Sequence, residues 1–276
     1  MILNLDPTFS PLGTNQIVFE SFTFSGGEPH IKLKTSLEKV VEVTITTRLN
    51  SFNNLGILLC AIDALRRTGV EKINLFLPYF PGARQDRVMI SGEPLTVKIY
   101  AEILNQQELN SITVFDPHSE VTSAVLNNCF VMTNHRFIEK ILQNINEELL
   151  LISPDGGALK KIYKVSEYLG GIEVVECSKK RNVTNGKLEG FKLYEEDLKG
   201  KTCLIVDDIC DGGGTFMGLA EELKNKNAGD LYLAVSHGIF SKGTDSLNKY
   251  FKAIYTTDSF RDELGVQQIK LAEIRD

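Results

Sequence analysis

Hydrophobic and polar positions along the chain follow two periods. Short apolar or alternating runs read as strands at 16–24, 31–34, 40–46, 73–77, 112–115, 149–152, 172–176, 202–206, 231–235 and 253–256. Between them lie helical patterns. Over 53–68, Leu55, Leu58, Leu59, Ile62 and Leu65 make one apolar stripe, and Gly69 ends it. Pro94 precedes a helix carrying Val97, Tyr100, Ala101 and Leu104 on one face. Phe137, Ile138, Ile141, Leu142 and Ile145 mark the next, then Ala158, Ile162, Val165 and Leu169. Phe216, Leu219, Ala220 and Leu223 mark another, and a short helix falls near Leu247.

Strands that alternate with amphipathic helices predict an α/β fold with mainly parallel sheets and helices on both faces. The pattern restarts near 130–136. Two similar domains follow, 1–133 and 134–276. Ligands of such sheets collect beyond the carboxyl ends of the strands. Nearly every chemically suggestive group here follows directly after a strand, so the two domains are expected to turn their sites toward a shared cleft.

Composition narrows the class. The 276 residues are 42% apolar and 24% charged, as in a soluble globular protein. A net charge of −6 argues against non-specific nucleic-acid binding, without excluding a locally basic site for an anionic substrate. No apolar run approaches the roughly 20 residues that span a bilayer. No basic region followed by an apolar core opens the chain. A cytoplasmic protein with no membrane partner is expected. Cys60, Cys129, Cys177, Cys203 and Cys210 show no zinc or redox spacing and read as reduced, mostly buried thiols; Cys210 is expected in the phosphate loop, as a spectator or, alternatively, as a reactive thiol.

The strongest chemical signal is Val206-Asp207-Asp208-Ile209-Cys210-Asp211-Gly212-Gly213-Gly214-Thr215. A buried strand, a glycine turn and a helix start make an anion site, because bare amides point outward and glycine lets the backbone approach a phosphate. Asp207 and Asp208 cannot bind phosphate. They suit vicinal hydroxyls, or a metal beside the phosphate. Ala83-Arg84-Gln85-Asp86-Arg87 packs two guanidinium groups into one loop, and arginine forks match phosphate oxygens; the bland reading is a solvated loop. Asp116-x-His118 and Asp155, in Ser153-Pro154-Asp155-Gly156-Gly157, are candidate ligands for a hard divalent cation, with loop capping as the alternative. Lys179-Lys180-Arg181 reads either as a solvated charge run or as a clamp. With Asn182, Thr184, Asn185 and Gly186 after it, the segment could close over a polyphosphate and neutralise developing charge. His237 is expected to line the cleft.

Together, in this order, these stretches resemble the ribose-phosphate pyrophosphokinase family, whose C-terminal half has the type I phosphoribosyltransferase fold. The resemblance runs from Phe24 to about Asp258 and includes Ser236-His237-Gly238-Ile239-Phe240. It implies transfer of the β,γ-diphosphate of MgATP to the anomeric hydroxyl of ribose 5-phosphate, with AMP leaving. By position, it implies that Arg84, Gln85 and Asp86 bind ATP and that Phe24 and Glu28 reach adenine from a neighbouring subunit of a homo-oligomer. His118 and Asp155, with Asp116 beside them, would hold magnesium. Lys179, Arg181 and His118 would act in catalysis. Asp207, Asp208, Asp211, Gly212, Gly213, Gly214 and Thr215 would hold the ribose phosphate.

The chain departs from the family's pattern in places. Gly26 stands where the adenine loop usually has Asp, Lys160-Lys161 replaces an Arg, and the chain stops soon after Asp258, which leaves assembly and control by ADP or phosphate open. Gly212 stands where the phosphate loop usually has Thr. Loss of that hydroxyl suggests an alternative acceptor, ADP-ribose, whose product would serve NAD synthesis. A type I phosphoribosyltransferase and a non-catalytic regulatory homologue are further alternatives. The Arg84 loop speaks against the first, and the presence of His118, Asp155, Lys179 and Arg181 against the second.

Overall fold

The computed structural model describes residues 1–145, 147–181 and 188–275, and at 179–181, 188 and 189 the backbone alone. It divides into two compact units, Met1–Thr133 and Asn134–Ile274.

The first unit holds a five-stranded parallel sheet in the order β1-β4-β5-β6-β7. Its strands are β1 (Ile2–Asn4), β4 (Glu42–Thr46), β5 (Lys72–Phe76), β6 (Ser111–Phe115) and β7 (Cys129–Met132). A separate hairpin pairs β2 (Phe19–Thr23) with β3 (Pro29–Leu33). The helices are α1 (Phe52–Arg67), α2 (Thr96–Asn105) and α3 (Glu120–Val125). Ser51 caps α1 by accepting from the amide of Asn54. Gly56 lets the hairpin dock on α1, since a Cβ there would stand 2.5 Å from Cγ of Pro29.

From β4 to β7 the chain steps across the sheet in one direction. Right-handed crossovers then put all three helices on the same face. The side chains agree. Val43, Ile45, Ile73, Leu75, Ile112 and Val114 join the buried core with Leu58, Ile62, Val97 and Leu104, whereas Thr44, Asn74 and Thr113, facing the other way, are only half-buried. The expectation of helices on both faces is therefore corrected for this unit. Its strands alternate apolar and polar because one face carries no helix of this unit.

The second unit holds a seven-stranded sheet in the order β10-β9-β8-β11-β12-β13-β14, parallel except for β9 with β10. These strands are β8 (Leu149–Ser153), β9 (Val174–Arg181), β10 (Leu188–Leu193), β11 (Thr202–Cys210), β12 (Leu231–Gly238), β13 (Ala253–Thr257) and β14 (Gln267–Ile269). Its helices are α4 (His135–Leu142), α5 (Leu159–Tyr168) and α6 (Gly214–Asn225). From β8 the chain moves one way through α5 to β9. From β11 it moves the other way through α6 to β12. Opposite steps with the same handedness place α5 and α6 on opposite faces, so β8, β11 and β12 are buried on both sides and read as continuous apolar runs. Among the described residues, no helix is long and apolar enough to cross a membrane.

Candidate active site

The reversal of direction between β8 and β11 opens a crevice at their carboxyl ends, the usual ligand position in such a sheet. β11 pairs with β8 only as far as Ile205 against Ile152, but stays paired with β12 through Cys210 against Gly238. The strand thus outruns its β8 neighbour. Asp207 and Asp208 lie on this one-sided extension, not after the strand as the sequence suggests. The ladder to β12 prolongs it.

The acid pair is tightly constrained. The amide of Asp208 donates to Oδ1 of Asp207 at 2.9 Å. Withdrawal from water pushes the Asp207 carboxyl well above the usual carboxylate range; the charges of Asp208 and, last, Asp155 add to this. Asp155 stands in the loop after the neighbouring strand β8, and its Oδ1 accepts from the amides of Gly157 at 2.9 Å and Ala158 at 3.2 Å. Its carboxylate thereby orders the loop it stands in. Two sequence-predicted groups, Asp155 and the acid pair, are brought together at the reversal.

Past β11, Gly213 is the N-cap of α6 with φ 76°, a left-handed conformation that a side chain resists. A Cβ there would also crowd Leu247 at 3.1 Å. No side chain caps α6, so its first amides, those of Gly214 and Thr215, have no intrahelical acceptor and face an incoming anion with the positive end of the helix dipole. Asp211 is held from outside the loop. Ser241 donates from Oγ to its Oδ1 at 2.6 Å and from its amide to its carbonyl at 3.1 Å. Sequence reasoning missed Ser241, whose nearness to the loop depends on the turn after β12. At Gly212 the nearest atoms to an added Cβ would be methylenes of Lys242, at 3.5 Å, an ordinary contact, so a β-carbon is admitted there.

Two expectations are corrected here. His237 does not line a cleft. It is 1% exposed, and its Nδ1 lies 2.7 Å from Oγ of Ser259, because β12 is central in the sheet at that point. Cys210 is in strand rather than loop. It is fully buried, and burial pushes its thiol up to about 12, which agrees with the spectator role and not with a reactive thiol.

Lys179 and Arg181 end β9, where the backbone pairs with β10 as Phe191 against Lys179 and Leu188 against Arg181. The sequence places them in a polar stretch after the strand; a ladder partner extends the strand through them instead. Their side chains, and residues 182–187 with the proposed clamp, lie outside the described residues.

In the first unit, a cavity of about 530 Å³ is lined by Arg84, Gln85, Asp86, Arg87, Thr96 and His118. It unites two sequence-predicted loops, one after β5 and one after β6. Asp86 is buried, and its bidentate partner Arg87 binds it at 2.9 and 3.4 Å and holds its carboxyl below the usual range. Asp116 directly follows β6, with φ 35°, a left-handed residue that is 6% exposed. Such strain at a strand end is typical of sites. Phe24 is at the hairpin turn, where its amide donates to the carbonyl of Glu28 at 2.9 Å. Phe24 is 53% exposed and packs with Phe22 and His30, ring centres 4.9 and 5.5 Å away. Among the described residues, no three of His, Cys, Asp and Glu are grouped to hold a metal by themselves.

Comparison with known proteins places this geometry. Residues 9–107 match the N-terminal domain of ribose phosphate pyrophosphokinase, and residues 123–273 match the phosphoribosyl transferase domain. The ribose-phosphate pyrophosphokinase of Thermococcus kodakarensis is 32% identical over 234 residues, 84% of this chain and 81% of the relative. The chain belongs to the ribose-phosphate pyrophosphokinase family. The Mycoplasma genitalium member is 31% identical over 235 residues, covering 83% of this chain and 69% of its own. The fold is shared with phosphoribosylpyrophosphate synthetase from Mycobacterium smegmatis, with a TM-score of 0.78 and 23% identity over 93% of this chain and 87% of that one. Membership makes the chain an enzyme of the pyrophosphokinase type. The N-terminal match separates it from a phosphoribosyltransferase, which the second domain alone would not.

Proposed function

We propose that the chain transfers the β,γ-diphosphate of MgATP to the anomeric hydroxyl of ribose 5-phosphate, releasing AMP and phosphoribosyl diphosphate. The observation that carries this reading is the acid pair Asp207-Asp208 beside an uncapped α6, at the sheet reversal of a chain in this family. The carboxylates accept from the 2- and 3-hydroxyls of a ribose. The loop from Asp211 to Thr215 receives its 5-phosphate on bare amides. This orients the anomeric hydroxyl for attack on the β-phosphorus of ATP.

Arg84, Gln85 and Asp86 bind ATP, in the cavity that His118 also lines. Phe24 and Glu28 serve adenine from a neighbouring subunit of a homo-oligomer, which accounts for exposed rings at a hairpin turn. Lys179 and Arg181 supply positive charge to the group in transfer. Magnesium fits the donor set. The carboxylates of Asp155 and Asp116 are oxygen donors of the hard type it accepts, the imidazole of His118 can join them, and a cation shared with substrate phosphates does not need three protein ligands in one cluster. When bound, it neutralises polyphosphate charge and makes the β-phosphorus more electrophilic.

The relatives are named for ribose phosphate, so ribose 5-phosphate is the acceptor proposed. The test is AMP release from MgATP with ribose 5-phosphate, run beside ADP-ribose and in Gly212→Thr, whose β-carbon meets only ordinary contacts with Lys242. Preference for ribose 5-phosphate in the wild type supports the proposal. Preference for ADP-ribose, moved back by Gly212→Thr, would replace the acceptor. No AMP with either would end the catalytic reading.

A further inference from the structure

Gly212 leaves one flank of the glycine loop without a side chain of its own. Lys242 covers that flank. Its Cδ and Cε lie 3.5 Å from the point a Cβ on Gly212 would occupy. The fold sets this position through the backbone before it. The amides of Ile239 and Phe240 both donate to the carbonyl of Cys210, at 2.9 and 3.1 Å, and Ser241 binds Asp211 through its amide and hydroxyl. Phe240 takes φ 43°, a conformation that an aromatic residue adopts only when its surroundings impose it. Residues 239–241 are thereby fastened to the start of the glycine loop, and Lys242 follows directly.

The ammonium, one bond beyond Cε, has no hydrogen bond or ion pair among the described residues, although Asp211 and Asp245 are close in the fold or sequence. A cation without a partner among the described residues, beside amides that await an anion, is matched to that anion. The amides contribute partial charges and direction; the lysine contributes a full charge.

We propose that Lys242 is a specificity-determining residue that binds the 5-phosphoryl group of the ribose acceptor from the Gly212 side of the loop. This rests on the proposed function above. Lysine is a compact point charge on a flexible stem, so it can follow a terminal phosphate or the first phosphate of a diphosphate. The 5-phosphoryl group does not react. Its contact with Lys242 therefore stabilises ground state and transition state alike and acts on KM rather than kcat.

The experiment compares wild type, Lys242→Gln and Lys242→Arg in AMP release, with ribose 5-phosphate and with ADP-ribose as acceptors. Lys242→Gln should raise acceptor KM by roughly tenfold or more, with a much smaller change in kcat and none in KM for ATP. Lys242→Arg should recover most of the loss. Acceptor KM should rise with salt more steeply in the wild type than in Lys242→Gln. The acceptor whose KM moves identifies which phosphoryl group is read. An unchanged KM for both acceptors in Lys242→Gln overturns the proposal. Should the wild type release no AMP with either, the catalytic reading fails on its own. Calorimetric titration with inorganic phosphate and ribose 5-phosphate then decides the role of Lys242: weaker binding by Lys242→Gln supports it, and equal binding overturns it.

Discussion

The backbone amide of Asp208 donates to Oδ1 of Asp207 at 2.9 Å, so one member of the acid pair is tied to the main chain of the other. The pair is electrostatically costly in the absence of a ligand. Burial, and then the charge of Asp208, raise Asp207 above the usual carboxylate range. A carboxyl with a raised value in the folded state contributes stability below its unfolded value. That contribution is lost as pH rises through the folded value.

Asp207→Asn should therefore be more stable than the wild type at neutral and alkaline pH, and the advantage should shrink as pH falls into the ordinary carboxylate range. The same variant should lose acceptor binding, a trade of stability against function. Thermal melting across pH, with and without ribose 5-phosphate, checks both. A lower melting temperature than wild type at pH 8 would contradict the electrostatic account.

Ser241→Ala removes the hydroxyl that holds Asp211 while leaving the amide bond to its carbonyl. Loss of one such hydrogen bond is worth about 1 kcal/mol. Acceptor KM should rise by roughly three- to tenfold, and kcat should change less. Steady-state kinetics against acceptor concentration test this. A variant indistinguishable from wild type would mean that the tether does not order the loop.

Lys179→Ala should lower kcat by roughly a hundredfold or more, with little change in KM for either substrate, since preorganised charge acts on the transition state. Rapid-quench measurement of single-turnover AMP formation isolates the chemical step. Normal turnover would remove Lys179 from catalysis.

For magnesium, His118→Ala and Asp155→Asn should shift AMP release to higher metal concentration. Asp155→Asn is preferred to alanine because its amide oxygen can still accept from Gly157 and Ala158, the bonds that order the loop. Melting temperature should stay near wild type, as both residues sit on strand-end loops. Identical magnesium curves in both variants would place the metal elsewhere.

Much of the fold was legible because periodicity is a local property. Leu55, Leu58, Ile62 and Leu65 face one way on any helix that contains them, and all four are buried in α1. The same holds for Phe216, Leu219, Ala220 and Leu223 in α6. The candidate site was legible where its chemistry is contiguous, as in the glycine loop and the Arg84 loop. The shortest strands, β1, β7 and β14, escaped notice because three or four residues carry too little periodicity to separate from loop.

The sequence by itself determined the local elements, the order of motifs and the family. Tertiary structure decided what no window of residues contains. Asp207 and Asp208 are strand residues because β12 continues to pair where β8 has stopped. His237 is buried because its strand is central, although a strand-end histidine in sequence looks exposed. The first sheet has its own helices on one face because its crossovers all step the same way. Lys242 lies against Gly212, thirty positions away in the chain, because a turn after β12 is bonded to the end of β11. Side-chain periodicity follows from the geometry of one element, whereas ladder ends, crossover direction and loop-to-loop contacts depend on which elements become neighbours, and only the packed chain sets that.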